Sequence, residues 1–342
     1  MALPLVKWMN FVQLQQALQD LASPTILVMV DEHLWPIYKD KLPFETLPGK
    51  DIFIWRAANG ESCKNLAEYT RCLEFFLEKD IRRDAILVAL GGGAIQDFAG
   101  MVAAVLLGGI QWIAIPTTLV ALAHAPLSGR VALNSRFGEN LVGQIHPPQE
   151  IWPNLDFLKT LPPQEQQSGA GELFRQAFLS EAVEAAILGH APLAEQISLV
   201  LAMQGNLLEQ HPEQAEVLQL GGLLQRALEK TYSLTYAVAL AEGLYLTFCL
   251  AHNTELKKRW LRLQKVLLPD LASGPWAVGG FSAKKILAYL QRDKQAGWRN
   301  TITLIMPQGD FFAPQGFSYP QLEEALHNLD PAELDRRETT WA

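Results

Sequence analysis

Basic charge is scarce in this chain. Its 342 residues carry 28 lysines and arginines against 36 aspartates and glutamates, a formal net charge of −8 at pH 7, and no basic cluster stands out. Wholesale binding of DNA or RNA depends on neutralising phosphates, so this balance argues against it. Cysteine is sparse as well. Cys63, Cys72 and Cys249 form no Cys-x-x-Cys pair and suit no disulfide framework, which points to a reducing compartment. Long hydrophobic runs are missing: the apolar stretches near residues 102–107 and 244–250 are too short or too interrupted to span a bilayer. The first residues, Met1-Ala-Leu-Pro-Leu-Val-Lys-Trp8, show no basic segment followed by an apolar one, so no secretory signal is expected and the cytoplasm is the expected location. Internal repeats and low-complexity segments are absent too.

What is present is a composition of 49% hydrophobic and 19% charged residues, suited to a globular protein with a substantial core. The length fits two domains of ordinary size. Residues 11–21 read as a helix stopped near Ser23-Pro24, residues 25–30 as a strand ending in Asp31, and residues 51–55 as a second strand. Gly60-Glu61-Ser62-Cys63-Lys64 then leads into a helix with Leu66, Tyr69, Leu73, Phe76 and Leu77 on one face. The run Ala85-Ile-Leu-Val-Ala-Leu90 is short, apolar and β-branched, as a buried strand should be. A glycine turn, a buried helix over residues 98–107 and another strand ending at Pro116 follow. This alternation predicts an α/β, Rossmann-like domain with a parallel sheet over residues 1–152. Residues 134–148 read as irregular, and Trp152-Pro153-Asn154 as a boundary. Residues 153–342 read as mostly helical, with helices expected over 169–188, 191–203, 213–228, 233–252, 255–266 and 282–293 and one strand over 300–306.

Gly91-Gly92-Gly93 stands where a strand turns into a helix. Without a Cβ, backbone N–H groups there can approach a diphosphate closely, which is the local logic of dinucleotide binding. A bare structural turn satisfies the same three letters. Likewise, Glu61 and Lys64 read either as cofactor contacts or as a surface ion pair at a helix start.

Taken together, several motifs resemble those of the 3-dehydroquinate synthase family of sugar-phosphate cyclases. Gly91-Gly-Gly-Ala-Ile-Gln-Asp97-Phe-Ala-Gly100 is similar to that family's glycine turn, Pro116-Thr-Thr-Leu119 to its PTTLL segment, and Phe137-Gly-Glu-Asn-Leu-Val-Gly143 to its GKN segment. Leu158-Lys-Thr-Leu-Pro162 and Ala170-Gly171-Glu172 match in order and spacing. The resemblance implies an enzyme that uses NAD and a divalent metal, usually zinc, to turn a phosphate-bearing keto acid into a carbocycle, and a homodimer. It implies cofactor contacts from Asp31, Glu61, Lys64, Gly91, Gly92, Gly93, Asp97, Thr117 and Thr118. Residual catalytic positions would be Arg130, Asn140 and Arg175, and Glu172 would be a metal ligand.

The chain departs from the family elsewhere. The family's metal is held by one glutamate and two histidines, and the histidine positions align with Gly222 and Tyr236, while Arg226 replaces a further histidine. Glycine offers no ligand atom and a neutral phenol is a poor zinc ligand. His124, His146 and His190 are scattered. Among the expected substrate cations, Gly108 replaces an arginine and Glu139 a lysine. Arg130 and Arg175 stand in for lysines, and His124-Ala125-Pro126 replaces an Asp-Ser-Ser segment. The expectation is a degenerate family member without zinc that keeps NAD binding, with a nucleotide or sugar phosphate as its small-molecule partner. A divergent active cyclase is the alternative, with Glu172, Arg175, Arg226, Asn140, Asp293 and Lys294 as its surviving polar groups. An enzyme like the iron-dependent alcohol dehydrogenases ranks last, because the helix histidines it needs are missing.

Overall fold

The computed structural model describes residues 3–42, 44–124, 126–269, 271, 280–294, 296 and 301–329. These form two compact units, Met1–Gln166 and Gln167–Ala342. The division falls beyond the expected boundary at Trp152 because the chain remains bound to the first unit after that point. Trp152 and Phe157 are buried in that unit's core.

In chain order the first unit contains β1 (Leu5–Val6), α1 (Phe11–Asp20), β2 (Thr25–Asp31), α2 (Trp35–Tyr38), β3 (Asp51–Ala57) and α3 (Leu66–Leu77). Then come β4 (Ile86–Gly91), α4 (Gly93–Val105), β5 (Gln111–Pro116), α5 (Leu119–Ala123), β6 (Arg130–Ser135), β7 (Gly138–Ile145) and β8 (Glu150–Ile151). Six strands make a parallel sheet in the order β1-β8-β5-β4-β2-β3. The central strand β4 is buried throughout, which explains its unbroken apolar run: a parallel strand is covered on both faces. Ile26, Val28, Val30, Ile86, Val88, Leu90, Ile113 and Ile115 share one core with Leu14 and Leu18 of α1. On α3 the expected apolar face is only partly used: Cys72 and Phe76 are buried, whereas Leu66 and Leu77 are exposed.

The stretch expected to be irregular after residue 134 is instead part of an antiparallel hairpin, β6 with β7. Its pattern was hard to read because β7 is exposed at nearly every position and shows no apolar alternation. The register shifts between Leu133 and Ser135, where residues 139–141 of β7 stand opposite Asn134 alone, so the irregularity lies on β7. It interrupts the ladder at Asn134, which takes part in the site described below.

The second unit continues with α6 (Pro163–Leu179), α7 (Glu181–Leu188), α8 (Leu193–Gln210), α9 (Gly222–Tyr232), α10 (Tyr236–Leu250), α11 (Thr254–Leu267) and α12 (Ala283–Leu290). The hairpin β9 (Thr301–Gln308) and β10 (Phe311–Ser318) and the helix α13 (Tyr319–His327) follow. Two expected helices are broken. Ser180 caps a new start after α6, its hydroxyl accepting from the Val183 amide. The run expected over 213–228 is a 3-10 segment, Pro212–Gln219, followed by α9, with Gly221 between them at φ 72, a left-handed conformation that suits glycine. β10 was not anticipated. Asn300, expected to start the late strand, and residues 330–342 of the expected second domain lie outside the described residues. Phe174, Phe178, Tyr245, Phe248 and Trp260 form an aromatic core, and the Trp260 indole donates to the Ala241 carbonyl at 2.7 Å.

Gly100 of α4 packs tightly on the sheet side: an added Cβ would lie 2.3 Å from Val131 Cγ1 and 3.1 Å from Trp112 Cζ2. Alanine is the better helix former by about 1 kcal/mol, but overpacking against a β-branched residue costs about 1–3 kcal/mol. Gly100→Ala is therefore expected to lower stability by up to about 2 kcal/mol net, read as a lower urea midpoint; an unchanged or raised midpoint would show that this contact yields freely.

Candidate functional site

Each unit buries a cation against a carboxylate. In the first unit the cluster begins at the end of β4. Gly91 cannot carry a side chain, because a Cβ would lie 2.5 Å from that of Ile95, and at Gly92 a Cβ would meet Thr118 Cγ2 at 2.9 Å. At Gly93, the first residue of α4, a Cβ would meet nothing within 4 Å. The turn is tied to β5. The Thr117 amide donates to the Gly91 carbonyl at 3.1 Å, and the buried Gln96 side chain donates to the carbonyls of Ala89, Gly91 and Ile115 at 3.1–3.2 Å. Thr118 caps α5 by accepting from the Ala121 amide at 3.1 Å.

Lys64 follows a 3-10 turn over Gly60–Cys63 and points inward, its side chain 3% exposed. Its ammonium donates to Asp97 Oδ2 and to Asn140 Oδ1, both at 2.6 Å, and lies 3.5 Å from Glu61 Oε2. The surface-pair reading of Glu61 and Lys64 is thereby corrected: the glutamate is exposed but the lysine is buried. Asn134, which sequence reading missed, joins the parts. Its amide N–H donates to the Lys64 carbonyl at 2.6 Å and its side chain donates to Glu61 Oε2 at 2.7 Å. Its side-chain oxygen accepts from the Asn140 amide at 2.8 Å, with Asn140 held at φ 54. No local signal in the sequence marks Asn134; only the hairpin's register does.

Burial by itself would lower the Lys64 ammonium, but the carboxylates of Asp97 and Glu61 more than offset it and hold the group above its ordinary value. Burial raises the Asp97 carboxyl above its usual range, with Lys64 opposing. Asp31 ends β2, accepts from the His33 amide at 2.8 Å, and with Glu61 adds to the effect of burial that pushes the Cys63 thiol up to about 12. Arg130 opens β6 on the exposed side of the hairpin. Gly108, aligned with a family arginine, stands at φ 80. Of the positions singled out from the sequence, Glu61, Lys64, Asp97 and Asn140 meet in one network, and the glycines, Thr117 and Thr118 form the adjoining turn.

In the second unit, Glu172 and Arg175 lie one turn apart on α6 and are both buried. Arg175 Nη2 donates to Glu172 Oε2 at 2.6 Å and to the Tyr236 hydroxyl at 3.1 Å. Tyr236 donates to the same Oε2 at 2.9 Å, and Gln176 donates to Oε1 at 2.8 Å. Helices α6 and α10 approach closely here: a Cβ on Gly171 would lie 2.9 Å from Ala237 Cα, so glycine brings Tyr236 down onto Glu172. Burial would lower the Arg175 guanidinium, yet Glu172 and Tyr236 keep it above its usual value. Burial, reinforced by the Glu172 charge, raises the Tyr236 phenol. Arg226 is not part of this group; it pairs with Asp293 at 3.3 Å. This donor set does not fit a divalent metal, because both carboxylate oxygens of Glu172 are occupied by protein N–H and O–H groups and a fixed cation stands beside them. Among the described residues no group of three or more His, Cys, Asp or Glu side chains is placed to hold one. Among the same residues no helix is long and apolar enough to cross a membrane.

Breaking the Lys64–Asp97 pair should expose its linkage to pH. Because the Asp97 carboxyl is already raised, folding favours its protonated form, and the stability it contributes is lost as pH rises through its folded value. Lys64→Met should raise that value further, while Lys64 itself stays charged in the wild type until pH exceeds the ordinary lysine range. The variant is expected to lose about 1–3 kcal/mol at pH 7–8, below the full cost of a broken buried pair because Asp97 retains 30% exposure. That loss should shrink toward pH 5; urea unfolding at both values checks it, and a pH-independent loss would assign the lysine to packing alone.

The model of the 3-dehydroquinate synthase N-terminal domain matches residues 54–168. Over 158 residues the chain is 37% identical to the 3-dehydroquinate synthase of Dichelobacter nodosus (strain VCS1703A), a match covering 46% of this chain and 42% of that enzyme. The chain thus spans about two-fifths of the length of the curated relatives it matches. Its fold is similar to that of 2-deoxy-scyllo-inosose synthase, crystallised with carbaglucose-6-phosphate, NAD+ and Co2+, with a TM-score of 0.77 at 20% identity over 95% of this chain and 96% of that one. It is also similar to 2-epi-5-epi-valiolone synthase from Streptomyces hygroscopicus subsp. jinggangensis 5008 with NAD+ and Zn2+ bound, with a TM-score of 0.74 at 22% identity over 98% of each chain. Residues 54–168 are thus similar to the 3-dehydroquinate synthase N-terminal domain, and the fold as a whole is similar to that of these two synthases.

Proposed function

We propose that this protein is a nucleotide-binding member of the family that holds the diphosphate of NAD at the Gly91–Asp97 turn and has lost the zinc-assisted synthesis of dehydroquinate. The observation that carries the first part is the contrast among the three glycines. Packing against Ile95 and Thr118 accounts for Gly91 and Gly92, but nothing in the protein accounts for Gly93, whose Cβ would point into open space at the start of α4. A helix N-terminus left open in this way suits close approach of a diphosphate to the backbone N–H groups. Two solved relatives of the same fold were crystallised with NAD+. Bound NAD would supply a hydride acceptor for a substrate alcohol. The chain's own contribution is to hold the turn rigid through Gln96 and Thr117 and to keep the Lys64 ammonium fixed on Asp97.

The second part is supported by the residues around Glu172. Gly222 has no donor atom, Tyr236 gives its hydroxyl hydrogen to the carboxylate, and Arg175 fills the remaining approach. Glu139 in place of a lysine further opposes a phosphate-bearing acid as substrate. A homodimer in the cytoplasm, with a nucleotide or sugar phosphate as its small-molecule partner, completes the reading.

Calorimetric titration of the purified protein with NAD tests it. Saturable binding is expected, weakened by Lys64→Ala and Asp97→Ala. Gly93→Ala is the discriminating variant. It should weaken NAD roughly tenfold, about 1.4 kcal/mol, while leaving the melting temperature unchanged or slightly raised, since alanine suits a helix better than glycine. Absence of binding at millimolar NAD, or equal affinity in Gly93→Ala, would make the turn an inherited scaffold.

A further inference from the structure

We propose that the Arg175 guanidinium is a cation built into the chain for Glu172, so that this buried centre is complete without a divalent metal and takes none up. The inference rests on the second unit alone and stands whether or not a nucleotide binds the first. Both oxygens of the carboxylate accept hydrogen bonds from the protein. One oxygen accepts from Arg175 at 2.6 Å and from Tyr236 at 2.9 Å, and the other accepts from Gln176 at 2.8 Å. A metal bound to either oxygen would have to displace a donor that has no solvent to return to, since Glu172 is fully buried and Arg175 3% exposed.

Charge acts in the same direction. Guanidinium keeps its proton under all ordinary conditions, so the positive charge cannot be shed to admit an incoming ion. Space does too. A Cβ at Gly222 would already contact Arg175 Nη1 at 3.6 Å and Gln219 Oε1 at 3.5 Å, so the room beside Glu172 that a side chain at position 222 would enter is bordered by the guanidinium. The far end of the fork is held as well, with Nη1 donating to the Leu218 carbonyl at 3.4 Å. The absent side chain at 222, the phenol at 236 and the arginine at 175 are therefore one coordinated arrangement: a monovalent fixed cation, one O–H donor, and no imidazole.

The test is cobalt(II) titration of the full-length protein followed by visible absorption, together with elemental analysis of protein purified from zinc-supplemented cultures. Wild type and Glu172→Gln should be indistinguishable, with no Glu172-dependent metal. One equivalent in the wild type that disappears in Glu172→Gln would overturn the proposal, and this comparison needs no cavity-forming variant. A second comparison introduces imidazoles through Gly222→His with Tyr236→His. With Arg175 retained, the pair should bind cobalt weakly. Adding Arg175→Ala should tighten binding roughly a hundredfold and give the absorption of a tetrahedral site. Equal affinity with and without Arg175 would show that the guanidinium does not guard the carboxylate.

Discussion

The Lys64 ammonium is the point on which the first unit turns. A buried charge is tolerated only where its neighbours replace the water it gave up, and Lys64 obtains that replacement from Asp97 on α4 and Asn140 on β7. Those two side chains come from elements far apart in sequence, so satisfying one ammonium fixes the hairpin against the helix that starts at the glycine turn. Asn134 extends the same logic to the backbone: standing opposite the β7 irregularity, it takes up the Lys64 carbonyl, Glu61 and the Asn140 amide together. The rigid turn at Gly91–Gly93 is thus framed on one side by sheet carbonyls stitched by Gln96 and on the other by this polar network.

The glycines of that turn divide by cause. Gly91 and Gly92 are required by close packing, whereas a Cβ at Gly93 would meet nothing within 4 Å. This distinction is invisible in the letters Gly-Gly-Gly. It appears only when the space around each Cα is known.

The second unit meets the burial constraint differently. Glu172 is also a fully buried charge, and it is neutralised from within its own helix by Arg175, one turn away, with Tyr236 of α10 closing the group. The arginine meets the carboxylate through one short charge-assisted hydrogen bond, Nη2 to Oε2 at 2.6 Å. Both oxygens of the carboxylate thereby accept hydrogen bonds from protein groups, Oε2 from Arg175 and Tyr236 and Oε1 from Gln176.

Much of this was legible in the linear chain. The apolar, β-branched runs fixed the parallel strands because a strand covered on both faces must be apolar throughout, and the motifs around Gly91 and Pro116 fall within the stretch that is similar to the 3-dehydroquinate synthase N-terminal domain. The hairpin of β6 and β7 was not legible, since an exposed strand carries no period. Neither were the boundary beyond Trp152, which follows from long-range burial, the break at Gly221, which follows from a backbone conformation, and the exposure of Leu66 and Leu77 at the ends of a correctly placed helix. The sequence by itself determined which charged residues exist and on which elements they ride. Only the tertiary structure decided which of them meet, because hydrogen bonds at 2.6 Å between residues dozens of positions apart depend on a bulge, a missing Cβ and the register of two strands rather than on spacing along the chain.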